Sequence, residues 1–240
     1  MLAVVILAAG ESRRMGRPKA LLPFPDSSGS QEAKEKKIAG LKPAATKSET
    51  FLKRVPPVGS SATNPQERSA PKTFLEHLIE VTRHPHADIL RVVVGAHESQ
   101  IHARVQLPAD AIVVNREWEK GQLSSLQTAI RSLAAGETEG MLVCLVDHPL
   151  ISAQLVSLLV ETFERDKNKI VMPTYHGKRG HPVIFPSALY AELLAAPENI
   201  GARVVVRAHA ADVIEVPVEE EGVVINLNDP AALNHVRKHN

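Results

Sequence analysis

The residues best suited to chemistry lie at the end of the first apolar run, where Leu7-Ala8-Ala9-Gly10 leads into Glu-Ser-Arg-Arg-Met-Gly-Arg-Pro-Lys19. Small residues turn the chain, and four cationic side chains, Arg13, Arg14, Arg17 and Lys19, follow within seven positions. Gly10 and Gly16 are expected to open backbone conformations that other residues resist, leaving amides free to surround phosphate oxygens. Arg14 and Lys19 add fixed charge. Such charge stabilises a departing pyrophosphate more than the intact triphosphate, because negative charge grows as the bond breaks. The loop therefore suits a polyphosphate. Two other glycine motifs fail on spacing: the chain has no Gly-x-Gly-x-x-Gly for a dinucleotide and no Gly-Lys-Ser/Thr ending for a P-loop. A cluster of Arg and Lys is also what a solvated face looks like, so the loop needs support from the rest of the chain.

Asn115, Trp118, Gly121, Ser124 and Ser125 form a second group. Gly121 allows close approach, and the two serines near a helix start suit either a cap or a contact to a base. Trp118 is the sole tryptophan, with packing as its default role. Asp147 follows the apolar run Met141–Val146 directly, at the strand end where doubly wound folds place a ligand crevice. By type alone it fits a turn, a helix cap or a ligand for a hard metal. His148 receives no catalytic duty. Asn228-Asp229-Pro230 reads as a cap before a final helix, a role that can coexist with an amide oxygen on a metal.

Taken in order, these segments resemble the MobA-like nucleotidyltransferases, most closely the branch of molybdenum cofactor cytidylyltransferases. Leu7-Ala-Ala-Gly-x-Ser-x-Arg-Met-Gly-x-Pro-Lys19 is similar to that family's nucleotide-binding loop, with Arg14 and Lys19 at its phosphate positions. Asn115-x-x-Trp-x-x-Gly121-x-x-Ser-Ser125 resembles the segment beside base and sugar. Leu145-Val-Asp147-His-Pro149 resembles the magnesium-binding element, with His148 where Gln is commoner. Gly177-x-x-Gly180-His181-Pro182 is similar to the acceptor-side motif, and Asn226-Leu-Asn228 stands where the family has a second metal position. Asparagine there carries no charge and should hold the ion less firmly than a carboxylate.

The resemblance implies a Mg2+-dependent transfer of CMP from CTP to molybdopterin, with release of pyrophosphate. Asp147 and Asn228 would hold the metal, and Arg14, Lys19 and Asp147 would be catalytic. Leu7, Ala8, Ala9, Gly10, Arg14, Lys19, Asn115, Gly121, Ser124 and Ser125 would bind the nucleotide, and Gly180, His181 and Pro182 the acceptor. Guanylyl-transferring relatives typically read Leu-Ala-Gly-Gly where this chain has Leu7-Ala8-Ala9-Gly10, which favours CTP. A molybdoenzyme apoprotein is a further expected partner. Two alternatives stay open: transfer to a sugar phosphate or another phosphorylated metabolite, and a non-catalytic nucleotide-binding chaperone for the cofactor.

Elements that could position these residues alternate along the chain. Leu2–Leu7, Ile89–Val94, Ala111–Val114 and Met141–Val146 are predicted strands, while 73–84, 123–133 and 152–163 have helical spacing, the last with Ser152 as a cap. The pattern alone predicts an α/β, doubly wound fold. The resemblance refines this to a single domain over 1–240 of the nucleotide-diphospho-sugar transferase type, which is GT-A-like and Rossmann-like, with a mixed, mainly parallel sheet flanked by helices. It covers nearly the whole chain apart from 25–71, which relatives replace with a short connection. That stretch is rich in Ser, Ala, Lys and Pro and is read as a flexible insertion. Hydrophobic residues at 44% and charged residues at 23% are ordinary for a protein with a substantial core. A net charge of +1 gives no reason to expect nucleic acid or a membrane surface as partner. A single cysteine, Cys144, fits a buried position and a cytoplasmic location.

Overall fold

The computed structural model describes residues 1–25 and 71–239. All but the ends of the predicted insertion lies outside them. The strands are β1 (Leu2–Leu7), β2 (Ile89–Val94), β3 (Ile112–Val114), β4 (Gly140–Leu145), β5 (Ile170–Tyr175), β6 (Lys178–Arg179), β7 (Val183–Pro186) and β8 (Val213–Pro217). They form one eight-stranded sheet in the order β3-β2-β1-β4-β7-β5-β6, with β8 paired to β5. The β1–β2, β1–β4, β2–β3 and β5–β8 ladders are parallel, while β7 pairs antiparallel with β4 and β5, and β6 antiparallel with β5, so the sheet is mixed and mainly parallel.

β1 and β4 are buried along their whole length, because a central parallel strand is covered on both faces and has no solvent side to alternate toward. The helices are α1 (Phe74–Val81), α2 (Glu98–Arg104), α3 (Gln122–Arg131), α4 (Ala153–Arg165), α5 (Tyr190–Ala195), α6 (Arg203–Ala208) and α7 (Pro230–His239). One layer sets Leu75 and Leu78 of α1 and Leu159 and Phe163 of α4 against Val4, Ile6 and Leu142. The opposite layer sets Leu123, Leu126 and Ile130 of α3 against Val5, Leu7 and Val143. Cys144 lies in the first layer, and burial pushes its thiol up to about 12. Among the described residues no helix is long and apolar enough to cross a membrane.

The predicted helix starts rest on identifiable caps. Thr73 and Glu76 make a reciprocal capping box on α1. Ser152 accepts from the Leu155 amide at 3.1 Å at the start of α4, and Glu220 in turn accepts from the Ser152 amide and hydroxyl. The helix predicted to run to His84 ends earlier, at Val81: the Thr82 hydroxyl turns back to the Leu78 carbonyl at 2.7 Å, and Pro85 disfavours helical geometry at His84.

The strand order reverses at β1, with β2 and β3 on one side and β4 on the other, so a crevice opens beyond the carboxyl ends of β1 and β4. Its far wall depends on a tight turn at Glu221–Val223, whose Val223 carbonyl accepts from the His181 amide at 2.9 Å. A Cβ on Gly222 would lie 1.6 Å from the Leu150 carbonyl oxygen, so backbone must move to admit one. Gly222→Ala should therefore cost about 3 kcal/mol or more of unfolding free energy, measured by chemical denaturation. A loss below about 0.5 kcal/mol, within the range of neutral surface substitutions, would contradict this packing.

Candidate active site at the carboxyl ends of the central strands

As the chain leaves β1 it stays tied to β2: the Ala8 amide donates to the Val93 carbonyl at 2.8 Å, and the Ala9 carbonyl accepts from Ala96 at 3.1 Å. It then winds through a 3-10 turn at Arg13–Met15 flanked by two left-handed residues, Ser12 (φ 57°) and Gly16 (φ 64°). The predicted backbone freedom is thus used at Gly16. Gly10 is not left-handed and has open space where a Cβ would stand, so Ser12 supplies the other turn position. Its short side chain makes this tolerable by bonding locally, with Oγ accepting from the Lys19 amide at 3.1 Å. Among the described residues no acceptor takes a hydrogen bond from the amides of Gly10 through Arg14. These groups are available to an anion.

His97 fastens this loop from the side. Its Nε2 lies 2.7 Å from the Glu11 carbonyl, so that nitrogen carries the proton. His97 belongs to no motif in the sequence. The available signal is Gly95, immediately after β2, where a Cβ would lie 2.7 Å from the Ala9 oxygen and 2.8 Å from Trp118 Cβ. Only glycine lets these segments close on one another there.

Lys19, Asp147 and Asn228 come together although they are distant in sequence. The Lys19 ammonium lies 3.4 Å from Asp147 Oδ2 and also donates to Asn228 Oδ1. The Lys19 and Asp147 side chains are only 15% and 21% exposed. Asp147 is not a helix cap, since Ser152 takes that role for α4. Its backbone carbonyl accepts from the Leu227 amide at 2.7 Å, and Leu227 is buried with Leu22, Phe74 and Leu233, which pins Asn226 and Asn228 on either side of it. Asp229 is spent on α7: its carboxylate accepts from the Ala232 amide at 2.8 Å. A carboxylate and an amide oxygen thus converge on one cation position, and hard oxygen donors fit a divalent ion there. Among the described residues no three His, Cys, Asp or Glu side chains cluster to hold a metal by themselves, so further ligands would come from substrate or water.

The predicted nucleotide residues divide into two groups. Leu7, Ala8, Ala9, Gly10, Lys19, Gly121 and Ser125 line a cavity of about 260 Å³, together with the predicted metal ligand Asp147 and with Asn226, Ser12, His97, Trp118 and Gln122. Arg14 is exposed and outside this lining. Asn115 and Ser124 are buried behind it: the Asn115 amide nitrogen donates to Ser124 Oγ at 2.9 Å and Ser125 Oγ at 3.0 Å, while its oxygen accepts from Glu117. The Ser124 hydroxyl points to the Gly121 carbonyl at 2.8 Å. Neither serine caps α3, whose N-cap is Gly121 at φ 102°. Gly121 is required for that dihedral, not for close approach, because nothing lies within 4 Å of its would-be Cβ.

Beside this cavity lies a second of about 490 Å³ that shares Leu7 and Gln122 with it. Its floor is apolar, built from Leu123, Leu126, Val143, Met172, Val183 and Phe185, and Arg179, Arg203 and Arg207 stand among its walls. Gly180 and His181 line it, and Pro182 follows through a cis peptide bond. A Cβ on Gly180 would meet the Val223 oxygen at 2.5 Å. His181 packs against His148, with ring centroids 5.0 Å apart, and the Nδ1 atoms of both rings are buried without a partner. Burial, reinforced by His148 and opposed by Asp147, pushes the His181 imidazole down to about 4. Burial lowers His148 as well, against the pull of Asp147.

The sequence matches the MobA-like NTP transferase domain over residues 4–36 and 66–213. It is 26% identical over 212 residues to nicotine blue oxidoreductase of Paenarthrobacter nicotinovorans, covering 85% of this chain and 80% of that protein. It is 24% identical over 241 residues to purine catabolism protein PucB of Bacillus subtilis (strain 168), covering 98% and 95%. The fold is shared with Rv0371c of Mycobacterium tuberculosis H37Rv at a TM-score of 0.70 and 21% identity, covering 99% of this chain and 97% of that one. A manganese complex of the same protein gives 0.67 at 19% identity, covering 99% and 98%.

His181, half-buried as a residue but with its Nδ1 buried, sets a pH window. Its folded value of about 4 is below the unfolded value near 6.5, so between the two the unfolded chain binds a proton that the folded chain refuses. The associated stability is present above about pH 6.5 and is lost as pH falls toward 4, on the order of 3 kcal/mol in all. His181→Asn should therefore reduce the stability lost between pH 7 and pH 4.5 by about 2 kcal/mol, read from denaturant unfolding at each pH. An identical loss in both proteins would contradict a buried neutral imidazole.

Proposed function

The chain belongs to the MobA-like NTP transferase family and has its nucleotide-diphospho-sugar transferase fold; on that premise we propose that it transfers CMP from CTP to the phosphate of molybdopterin and releases pyrophosphate. The observation that carries this reading is the pair of adjoining cavities that share Leu7 and Gln122. One has free backbone amides, a lysine and a carboxylate, the equipment for a triphosphate. The other has an apolar floor suited to a flat ring system. The arginines among the walls suit the acceptor's phosphate, and a flat ring would set more apolar surface against that floor than a sugar can, so the ring acceptor is favoured over the sugar.

In the proposed reaction an oxygen of the acceptor phosphate attacks the α-phosphorus of CTP in line. The new P–O bond forms as the bond to the bridging oxygen of the β-phosphate breaks, and pyrophosphate leaves. No covalent enzyme intermediate is needed. The amides of Gly10 and Ser12, the two residues of this turn that line the cavity, hold the leaving phosphates, and the Lys19 ammonium balances charge that accumulates on them. Magnesium, held by Asp147 and Asn228, would supply Lewis-acid stabilisation of the phosphate oxygens. The manganese complex of Rv0371c supports a divalent ion in this fold. Asn115 and Ser124 hold Ser125 and the start of α3 in place from behind, and Trp118 walls the base side.

The test is pyrophosphate release with each of four nucleoside triphosphates against a panel of phosphorylated acceptors. CTP with molybdopterin should give the highest kcat/KM; a sugar phosphate as the best acceptor would replace this reading with its alternative. Ala9 lines the nucleotide cavity, and a methyl at this position would leave less room for a purine than the glycine that the resemblance implies for guanylyl-transferring relatives. A methyl-sized difference is worth about 1–3 kcal/mol, so CTP should be preferred to GTP by about ten- to a hundredfold. Equal kcat/KM values would remove the cytidylyl assignment. Asp147→Asn should lower kcat about a hundredfold or more in a protein that still unfolds cooperatively. Full turnover at limiting magnesium would show that Asp147 does not serve the metal.

A further inference from the structure

Lys19 stands where the two oxygen donors of the proposed metal site meet, bonding to Asp147 Oδ2 and Asn228 Oδ1 at once. The carboxylate is already paired with an ammonium, and Asn226 and Asn228 add no charge, so this cluster is electrically balanced without a divalent ion. The pair is largely buried, where solvent and salt screen it weakly. A divalent cation entering alone must separate the ammonium from its partner and then sit beside it, against like-charge repulsion. A triphosphate changes both conditions. It offers the ammonium new anionic partners, and it brings oxygens of its own to the ion. The Lys19 backbone is held by the Ser12 hydroxyl, so the exchange needs only rotation of a flexible four-carbon stem.

We propose that Lys19 is a positioning residue for the metal site: its ammonium holds Asp147 and Asn228 together and keeps a free divalent cation out until a polyphosphate draws it away. Metal then enters with the nucleotide and not ahead of it. The nucleotidyltransferase reading supplies only the identity of the polyphosphate; the exclusion is a property of the protein and the cation. Metal binding is therefore read directly, by electron paramagnetic resonance titration of Mn2+ with the full chain.

Lys19→Met should bind Mn2+ at least tenfold more tightly than the wild type in the absence of nucleotide, and the gain should vanish in Lys19→Met/Asp147→Asn. Lys19→Gln keeps a hydrogen-bond donor but no charge, and should show the same gain should the methionine variant fold poorly. In the wild type, which needs no variant to fold, inorganic tripolyphosphate should raise protein-bound Mn2+ at least tenfold. Folded lysine variants that bind Mn2+ no more tightly than the wild type would overturn the proposal, as would a wild-type protein that takes up Mn2+ equally well with and without tripolyphosphate. Mn2+ behaviour as expected in a protein that transfers no nucleotide would leave the exclusion standing and remove the function; transfer without the exclusion would do the reverse.

Discussion

An ammonium held between a carboxylate and an amide oxygen organises the carboxyl end of this sheet. Lys19 reaches Asp147 across the crevice between β1 and β4, and Asn228 closes the triangle from a segment more than two hundred residues further along the chain. Three separate stretches thereby share one charge. Each stretch is also fixed by its own backbone: the loop by Ser12, the strand end by the β1–β4 ladder, and the terminal segment by the bond from the Leu227 amide to the Asp147 carbonyl. The side chains meet because the backbone bonds already bring their carriers together, so the largely buried ion pair has only to fix the side-chain geometry.

The same economy appears in the shell around the site. Close approach is bought at few positions: Gly95 beneath Ala9 and Trp118, Gly180 against Val223, and Gly222 against Leu150. All three lie where two loops must touch at the crevice rim. Around them, buried and half-buried polar groups hold the loops in place. His97 takes the Glu11 carbonyl, Asn115 holds both serines, and Glu220 holds Ser152. His148 and His181 keep an unpartnered nitrogen each, and sit between the charged cluster and the apolar cavity.

Much of this was legible in the sequence. The central strands stand out because a strand covered on both faces must be apolar throughout, and Leu2–Leu7 and Met141–Val146 are. The cap at Ser152 is short-range chemistry, visible from residue type and spacing. The loop from Leu7 to Lys19 and the acid after β4 stand at strand ends, where this architecture opens a crevice, and their meeting in one cavity follows from the strand pattern. Other features depend on tertiary proximity that no local pattern encodes. Arg14 and Lys19 look alike in the loop, yet only Lys19 is turned inward, since Ser12 and Gly16 supply the left-handed turns that decide which cation faces the crevice. Ser124 and Ser125 are neighbours of the same type, but one is behind the wall and the other in it. His97 and Gly95 carry no motif, and their importance rests on contacts with β1 and Trp118. Asp229 is a stronger metal ligand by type than Asn228, but the helix start claims it.

In the proposed function the two adjoining cavities serve a single transfer between two bound molecules. The most direct measurement follows the transferred group itself, using CTP labelled at its α-phosphate together with molybdopterin and magnesium. The account predicts that label appears in the acceptor in equal molar amount to the pyrophosphate released. Label recovered only as free CMP or CDP, with none in the acceptor, would mean that the protein hydrolyses its nucleotide, and would contradict the account.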